Sequence, residues 1–337
     1  MATVKLYVKC ILFPVNMLYL LYRSLADSIE QVGLRNSNAD YVRSLLARIS
    51  ARFSEFDIGL KIARDISSSA LRVYTLAYIL GFDKRIFNEF YGIVLDEARR
   101  LGVDSRLFVL SGLVEACCRL GVSCEELIRE GYGLVDSSSW EGILRFSLGL
   151  ARCGCVDDAL DLVLNNIRGS ERLAFSLAEL SKDMEEPRKD FLAMAYGYIG
   201  KVCDIGKRLM FLSRLLRLER RIDAGMAAVR VEGLLEGLEK LPPLKREYVS
   251  LFVLKNIFES GFGKLAFDRV EDVLDLGGAE YYPWDMVELM GHVAYYYRGL
   301  EYVIESSRFL DQDVRFVLLA SVVDVALERF SKLNFIG

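Results

Sequence analysis

The chain has 337 residues and a single histidine, His292. Any Ser-His or Cys-His nucleophilic mechanism would have to run through that residue, because the base must stand within hydrogen-bond reach of the nucleophile. His292 lies in the run Met290-Gly291-His292-Val293-Ala294-Tyr295, which reads as the packed middle of a helix. Carboxylates gather at Asp157, Asp158 and Asp161. On a helix, acids at i and i+4 share a face and could hold a hard cation between them. The same acids open a short helix after a tight turn at Gly154, where Asp serves as a cap and complements the helix dipole. The segments Gly197-Tyr198-Ile199-Gly200-Lys201-Val202 and Gly261-Phe262-Gly263-Lys264-Leu265 fail as phosphate loops. Both carry Gly-Lys without the correctly spaced first glycine and the following Ser or Thr. His-Glu-x-x-His, an EF-hand loop and Cys-x-x-Cys do not occur. The sequence therefore implies no catalytic constellation, no metal and no cofactor.

The elements that position these residues read as helices. Five prolines interrupt the chain, and Leu, Ala, Arg and Glu abound, which favours helix over a many-stranded fold. Hydrophobic residues make up 53%, and the mean hydropathy is +0.24, so many helix faces must be buried. The net charge of −4 gives no global field for a polyanion. Glutamine occurs only at Gln31 and Gln312, and scarce amides are a mark of a heat-adapted source. The seven cysteines, an odd number, read as reduced thiols of a cytoplasmic protein. The apolar run Cys10–Tyr22 holds Pro14 and Asn16 and falls short of the ~20 residues needed to span a bilayer. Residues 4–22 are expected to form a buried capping helix, with a membrane-peripheral or signal segment as the alternative.

A weak repeat organises the chain. Its unit is a large apolar residue, a small one, any residue, and an apolar one. It appears as Leu46-Ala47-x-Ile49, Leu76-Ala77-x-Ile79, Leu110-Ser111-x-Leu113 and Leu148-Gly149-x-Ala151. It continues as Leu177-Ala178-x-Leu180, Leu212-Ser213-x-Leu215, Val249-Ser250-x-Phe252, Met290-Gly291-x-Val293 and Leu319-Ala320-x-Val322. The small residues recur about every 34 residues. Where the first helix of a hairpin crosses its partner, a residue of Gly, Ala or Ser size lets the backbones approach closely, and its large neighbours fill the grooves on either side. In four units an arginine precedes the large residue by four: Arg72, Arg106, Arg208 and Arg315. Gly81, Gly121, Gly154 and Gly261 follow the small residue where the first helix of each hairpin should end. Hairpins of this kind expose an apolar face until a neighbour stacks on it.

The stretch Leu148-Gly149-Leu150-Ala151-Arg152-Cys153-Gly154-Cys155-Val156-Asp157-Asp158-Ala159-Leu160 resembles the core of a tetratricopeptide-like repeat. Its turn is shorter than that family's, and the closing proline is missing. The resemblance covers residues 39–330 as architecture and one unit as motif. It implies an all-α solenoid, a right-handed superhelix of about eight to nine antiparallel hairpins, whose concave surface binds a protein or peptide. Asp157-Asp158-Ala159-Leu160-Asp161 resembles the aspartate-rich motif of all-α isoprenoid synthases, which in that family holds Mg²⁺-diphosphate. Here it lacks a second acidic motif and a trailing arginine pair.

The expected organisation is a cap over residues 1–38 and a repeat domain over 39–337, with a bend near 241–243. Three groups are candidates for binding or bridging. Lys207, Arg214, Arg217 and Arg221 share a helix face and would dock an acidic partner or RNA phosphate. Tyr282, Trp284 and Tyr296 are aromatic anchors of the type that dominates interfaces. Cys124 and Cys155 fall in equivalent turns of adjacent units and are candidates for a disulfide, as are Cys124 and Cys153. The expected function is a non-enzymatic scaffold that binds another protein, a peptide or a second copy of itself. An RNA-binding repeat and a Mg²⁺-dependent isoprenoid-type enzyme are the alternatives. The pI of 5.4 disfavours nucleic acid, and the short N-terminal run disfavours a membrane.

Overall fold

The computed structural model describes residues 16–29, 37–184, 186–274, 276, 279 and 282–334. Those residues form helices and turns, with no strand among them. The expected cap is described only from residue 16, where helix α1 (16–28) buries Leu18 and Tyr22. Residues 4–15 of the apolar run lie outside the described residues. No helix among the described residues is long and apolar enough to cross a membrane.

Two kinds of helix alternate. The first kind comprises α2 (Ser37–Arg52), α4 (Ser69–Leu80), α6 (Val103–Leu120), α8 (Trp140–Arg152) and α10 (Ser170–Asp183). It continues with α12 (Ile205–Ile222), α14 (Pro243–Glu259), α16 (Trp284–Arg298) and α18 (Gln312–Asn334). The second kind comprises α3 (Phe56–Arg64), α5 (Lys84–Arg99), α7 (Glu125–Tyr132), α9 (Val156–Asn166), α11 (Lys189–Ile199), α13 (Ala224–Glu239) and α17 (Leu300–Ser306). A single turn, α15 (Phe267–Val270), precedes α16.

Each small residue of the repeat falls on a different helix of the first kind, and all nine are buried. Every first-kind helix packs on the next one in the series, and α18 packs on α2. Second-kind helices pack against flanking first-kind helices and hardly at all against one another. They therefore stand outside, where the circumference is larger, and the first-kind helices form an inner circuit. An open superhelix would keep its ends apart. Here Arg52 of α2 lies 3.1 Å from the Asp324 carboxylate of α18, and Tyr41 of α2 donates to Glu288 of α16 at 2.7 Å.

The expected crossing within a hairpin is corrected at Gly149 and Gly291, where the close approach is to the neighbouring first-kind helix. A Cβ placed on Gly149 would stand 2.8 Å from Ser111 Cα on the facing helix. One on Gly291 would press on Leu318, Ser321 and Val322 of α18. Ser213 accepts a hydrogen bond from Asn256 of α14 at 3.0 Å, which ties α12 to α14 in the same register.

Local signals set the helix limits. Asp83, Ser139, Asp204 and Asp223 accept backbone N–H groups of the helices they open. Pro243 sits in the first turn of α14, so the Leu241-Pro242-Pro243 break is a helix start. Gly121, Gly154 and Gly261 have φ of 65°, 81° and 81°, as a left-handed helix end requires. Gly81 differs, with φ of −70°. It is small because a Cβ there would meet the α6 backbone at Ala116, 3.0 Å away.

The recurring arginine is a clamp on the preceding outer helix. Arg72 donates to the Ile66 carbonyl at 3.0 Å, and Arg208 to the Val202 carbonyl at 3.0 Å. Arg246 does the same to Leu241 at 2.9 Å. Each carbonyl lies just past an outer helix, where backbone acceptors lack intrahelical partners. Arg106 turns instead to Glu130 of α7.

The inner contact makes a sharp contrast between two glycines. Gly149→Ala is expected to cost about 1–3 kcal/mol, because its methyl meets backbone rather than a movable side chain. Gly92→Ala, on the exposed face of α5 with nothing within 4 Å, should gain about 0.5–1 kcal/mol. Urea denaturation of the two variants beside the parent protein measures both.

Candidate functional site

The residue skipped by the repeat pattern faces the inside of the circuit at several units. Arg48, Tyr78, Glu179, Arg214 and His292 all follow the small residue directly. They belong to a belt of charges and rings carried by the inner helices. Glu115 of α6 accepts from Arg152 of α8 at 2.8 Å, and Arg152 reaches Asp183 of α10 at 3.0 Å. Glu179 of α10 pairs with Lys182 at 3.2 Å and with Arg214 of α12. The Arg214 guanidinium lies over the Phe252 ring at 4.4 Å. Arg52 donates to the Tyr78 hydroxyl at 2.9 Å, while Arg119 stands over that ring at 4.6 Å.

Burial and pairing oppose each other in this belt. Burial would raise the Glu179 carboxyl, but Lys182 and Arg214 outweigh it and hold it below the ordinary value. Burial pulls Lys182 down against Glu179, and it raises Asp183 against Arg152. The inner face is thus largely neutralised by its own ion pairs. Two groups stand apart: Arg48 Nε and His292 Nδ1 are buried without a partner among the described residues.

The basic face expected on α12 is mostly engaged within the chain. Lys207 pairs with Glu171 at 2.6 Å, Arg214 with Glu179, and Arg221 donates to the Met184 carbonyl at 3.0 Å. Arg217 is half-buried and makes no ion pair among the described residues. Tertiary neighbours supply an acid to Lys207 and Arg214 and a carbonyl to Arg221.

The aromatic candidates separate. Tyr282 donates to Glu247, and Trp284 is half-buried at the start of α16 against the core. Of the consecutive tyrosines, Tyr295 is buried and Tyr297 donates to Glu271 at 2.8 Å. Tyr296 lines an open groove of about 440 Å³ with Phe258, Phe262, Leu265 and Phe267. The Tyr296 and Phe258 rings are stacked, with centroids 6.1 Å apart. Leu265 and Phe267 are 47% and 40% exposed, so this apolar wall faces solvent.

The groove depends on two glycines. Gly261 has a positive φ and stands against Arg220, which donates to Ser260 O at 2.6 Å. Gly263 has no room for a Cβ beside the Phe258 ring. The segment rejected as a phosphate loop is the tight turn that shapes this wall. Sequence reading missed Phe258, Phe262, Leu265 and Phe267. The available signal was apolar residues interleaved with glycine at a helix end. Charges of both signs lie beside the wall: Lys264 is exposed and Arg329 stands 5.7 Å from the Tyr296 centroid, while burial, Glu259 and Glu328 raise the Tyr296 hydroxyl against Arg329.

The expected Cys124–Cys155 bridge is corrected, since both are free thiols. Cys118 of α6 is bonded to Cys153 at the end of α8, with Cα atoms 5.7 Å apart, inside the usual disulfide range. The bridge joins neighbouring inner helices, whereas Cys124 and Cys155 begin outer ones. Asp157, Asp158 and Asp161 lie exposed on the outer helix α9, with Asp157 paired to Arg188. They do not face the interior, and Asp157 is joined to a further acid, Asp190, through the Arg188 cation. No cluster of three His, Cys, Asp or Glu residues able to hold a metal occurs among the described residues.

Comparison with known proteins gives no match: no family model fits the chain, and no curated protein and no solved structure matches it.

His292 makes the interior sensitive to pH. Burial pushes its imidazole below the ordinary 6.5; Lys255 adds to the effect, and Glu288, Glu259 and Asp324 oppose it. The unfolded chain therefore takes up a proton near 6.5 that the folded chain resists. The contribution of neutral His292 is present above that value and is lost as pH falls from it toward the depressed folded value. Replacing His292 with Gln should flatten this part of the pH dependence. Urea midpoints of both proteins at about pH 7.5 and 5.5 test it: the wild-type midpoint should fall by more than the variant's.

Proposed function

We propose that this chain is a protein-interaction module that seats an apolar side chain of an acidic partner segment in the Phe258–Tyr296 groove. Its architecture is read as tetratricopeptide-like hairpins stacked around a closed circuit. Closure alters the binding surface expected of such repeats, because the inner face is occupied by its own paired charges. The observation that carries the proposal is the apolar wall of half-buried Phe262 and exposed Leu265 and Phe267 over stacked Phe258 and Tyr296. Aromatic walls of this kind anchor a partner by excluding water from a central contact. Lys264 and Arg329 beside it complement acids flanking the anchor residue and steer encounter. The intramolecular pairing of Lys207, Arg214 and Arg221 speaks against the RNA alternative. The exposed position of Asp157, Asp158 and Asp161 on an outer helix speaks against an isoprenoid-type site.

A displayed library of random twelve-residue peptides tests the reading. Selection on the protein should enrich sequences with one large apolar residue flanked by Asp or Glu. Phe262→Ala and Lys264→Glu should each weaken the selected peptides at least about tenfold, a loss of ~1.4 kcal/mol. Binding that survives both changes in folded protein, or enrichment of basic sequences, would overturn the proposal.

A further inference from the structure

Five cysteines gather where α6 turns into α7 beside the α8–α9 turn: Cys117, Cys118, Cys124, Cys153 and Cys155. The chain leaves α6 through left-handed Gly121, and Val122 N donates back to Cys117 O at 2.9 Å. That turn returns the first residues of α7 over the last turn of α6. Cys124 Sγ consequently stands 3.9 Å from Cys118 Sγ, on a sulfur already bonded to Cys153.

We propose that Cys118, Cys124 and Cys153 form an internal thiol–disulfide exchange site that moves one cross-link between two positions. The Cys124 thiolate attacks Cys118 Sγ. A Cys118–Cys124 bond forms, the Cys118–Cys153 bond breaks, and Cys153 leaves as thiolate. The proton given up by Cys124 to solvent is matched by one taken up by Cys153. Two electrons shift among three sulfurs and no external oxidant is consumed.

The two states differ in what they hold together. The Cys118–Cys153 bond ties α6 to α8, neighbouring inner helices whose backbones already meet at Ser111 and Gly149. The Cys118–Cys124 bond lies within the α6–α7 hairpin and leaves the α6–α8 contact to packing and the Glu115–Arg152 ion pair. The remaining thiols are spectators. Burial pushes Cys117 up to about 11, and burial with Asp158 raises Cys155, so both stay protonated near neutral pH. Cys118, Cys124 and Cys153 are each partly open to solvent.

Disulfide mapping tests the site. Protein purified without reductant is held at about pH 8.5, near the ordinary thiol value, then quenched with acid and alkylated with N-ethylmaleimide. Trypsin cuts at Arg119 and separates Cys118 from Cys124. Wild type should yield both linked peptides, with alkylation on Cys153 in molecules carrying the Cys118–Cys124 link. Cys124→Ser should retain only the Cys118–Cys153 link and lose Cys153 alkylation. Cys153→Ser, oxidised with diamide, should give Cys118–Cys124. The proposal is overturned if that link appears in neither protein while circular dichroism shows both folded. It is equally overturned if Cys153 alkylation persists unchanged in Cys124→Ser, or if Cys118 is found unbridged throughout.

Discussion

Two helices approach backbone to backbone only where neither carries a large side chain at the crossing. In this chain that condition is met once on every inner helix, at Ala47, Ala77, Ser111, Gly149, Ala178, Ser213, Ser250, Gly291 and Ala320. The close contact shortens the inner row relative to the outer one. A row of wedges whose inner edge is shorter must curve, and after nine units the last helix reaches the first. The outer helices then fill the gaps between inner ones without needing to touch each other. The apolar core is accordingly a band between the two layers, with charged groups on its inner side.

That inner side carries an electrostatic cost that the circuit itself resolves. Glu115, Asp183, Glu179 and Arg214 lose much of their water, Arg152 less, and each finds a counter-ion on the same or an adjacent inner helix. Buried pairs of this kind contribute little net stability, because desolvation offsets attraction. They do fix which helix faces inward and in what register, since breaking a pair strands a charge. Arg52 and Asp324 perform the same service at the junction of first and last helices. An interior whose charges are largely paired offers a partner little net field, which shifts attention to the apolar wall between α14 and α16.

The basic residues of α12 and the aromatics of α14 to α16 show how far a helix-face argument reaches. Spacing states which side chains share a stripe. It does not state what lies opposite. Lys207, Arg214 and Arg221 lie on one helix, and Glu171, Glu179 and the Met184 carbonyl lie within their reach. Three consecutive tyrosines must diverge at ~100° per residue, and they do. Which of them remained open depended on the turn at Gly261 and Gly263, which carries Phe262 and Leu265 to Tyr296. Cysteine pairing followed the same rule. Cys124 and Cys155 are equivalent in the repeat, yet the bonded pair joins inner helices, because those are the ones in closest contact.

The sequence alone determined the helical class and the recurrence of small buried residues along it, while which helices cross at them, and which stand inside, came from the tertiary structure. The class and the recurrence follow from local chemistry: small residues at a steady spacing, acids and serines at helix starts, glycines at helix ends. The arginine four residues before the large apolar residue was visible as a pattern, and the structure shows it clamping the carbonyls of Ile66 and Val202. Closure of the circuit was decided only in three dimensions, because it sums small rotations over nine contacts and no single unit encodes the total. The same holds for the ion pairs, the Cys118–Cys153 bond and the aromatic groove. Each joins residues whose proximity depends on how hairpins stack, and side-chain spacing within one helix carries no information about its neighbour.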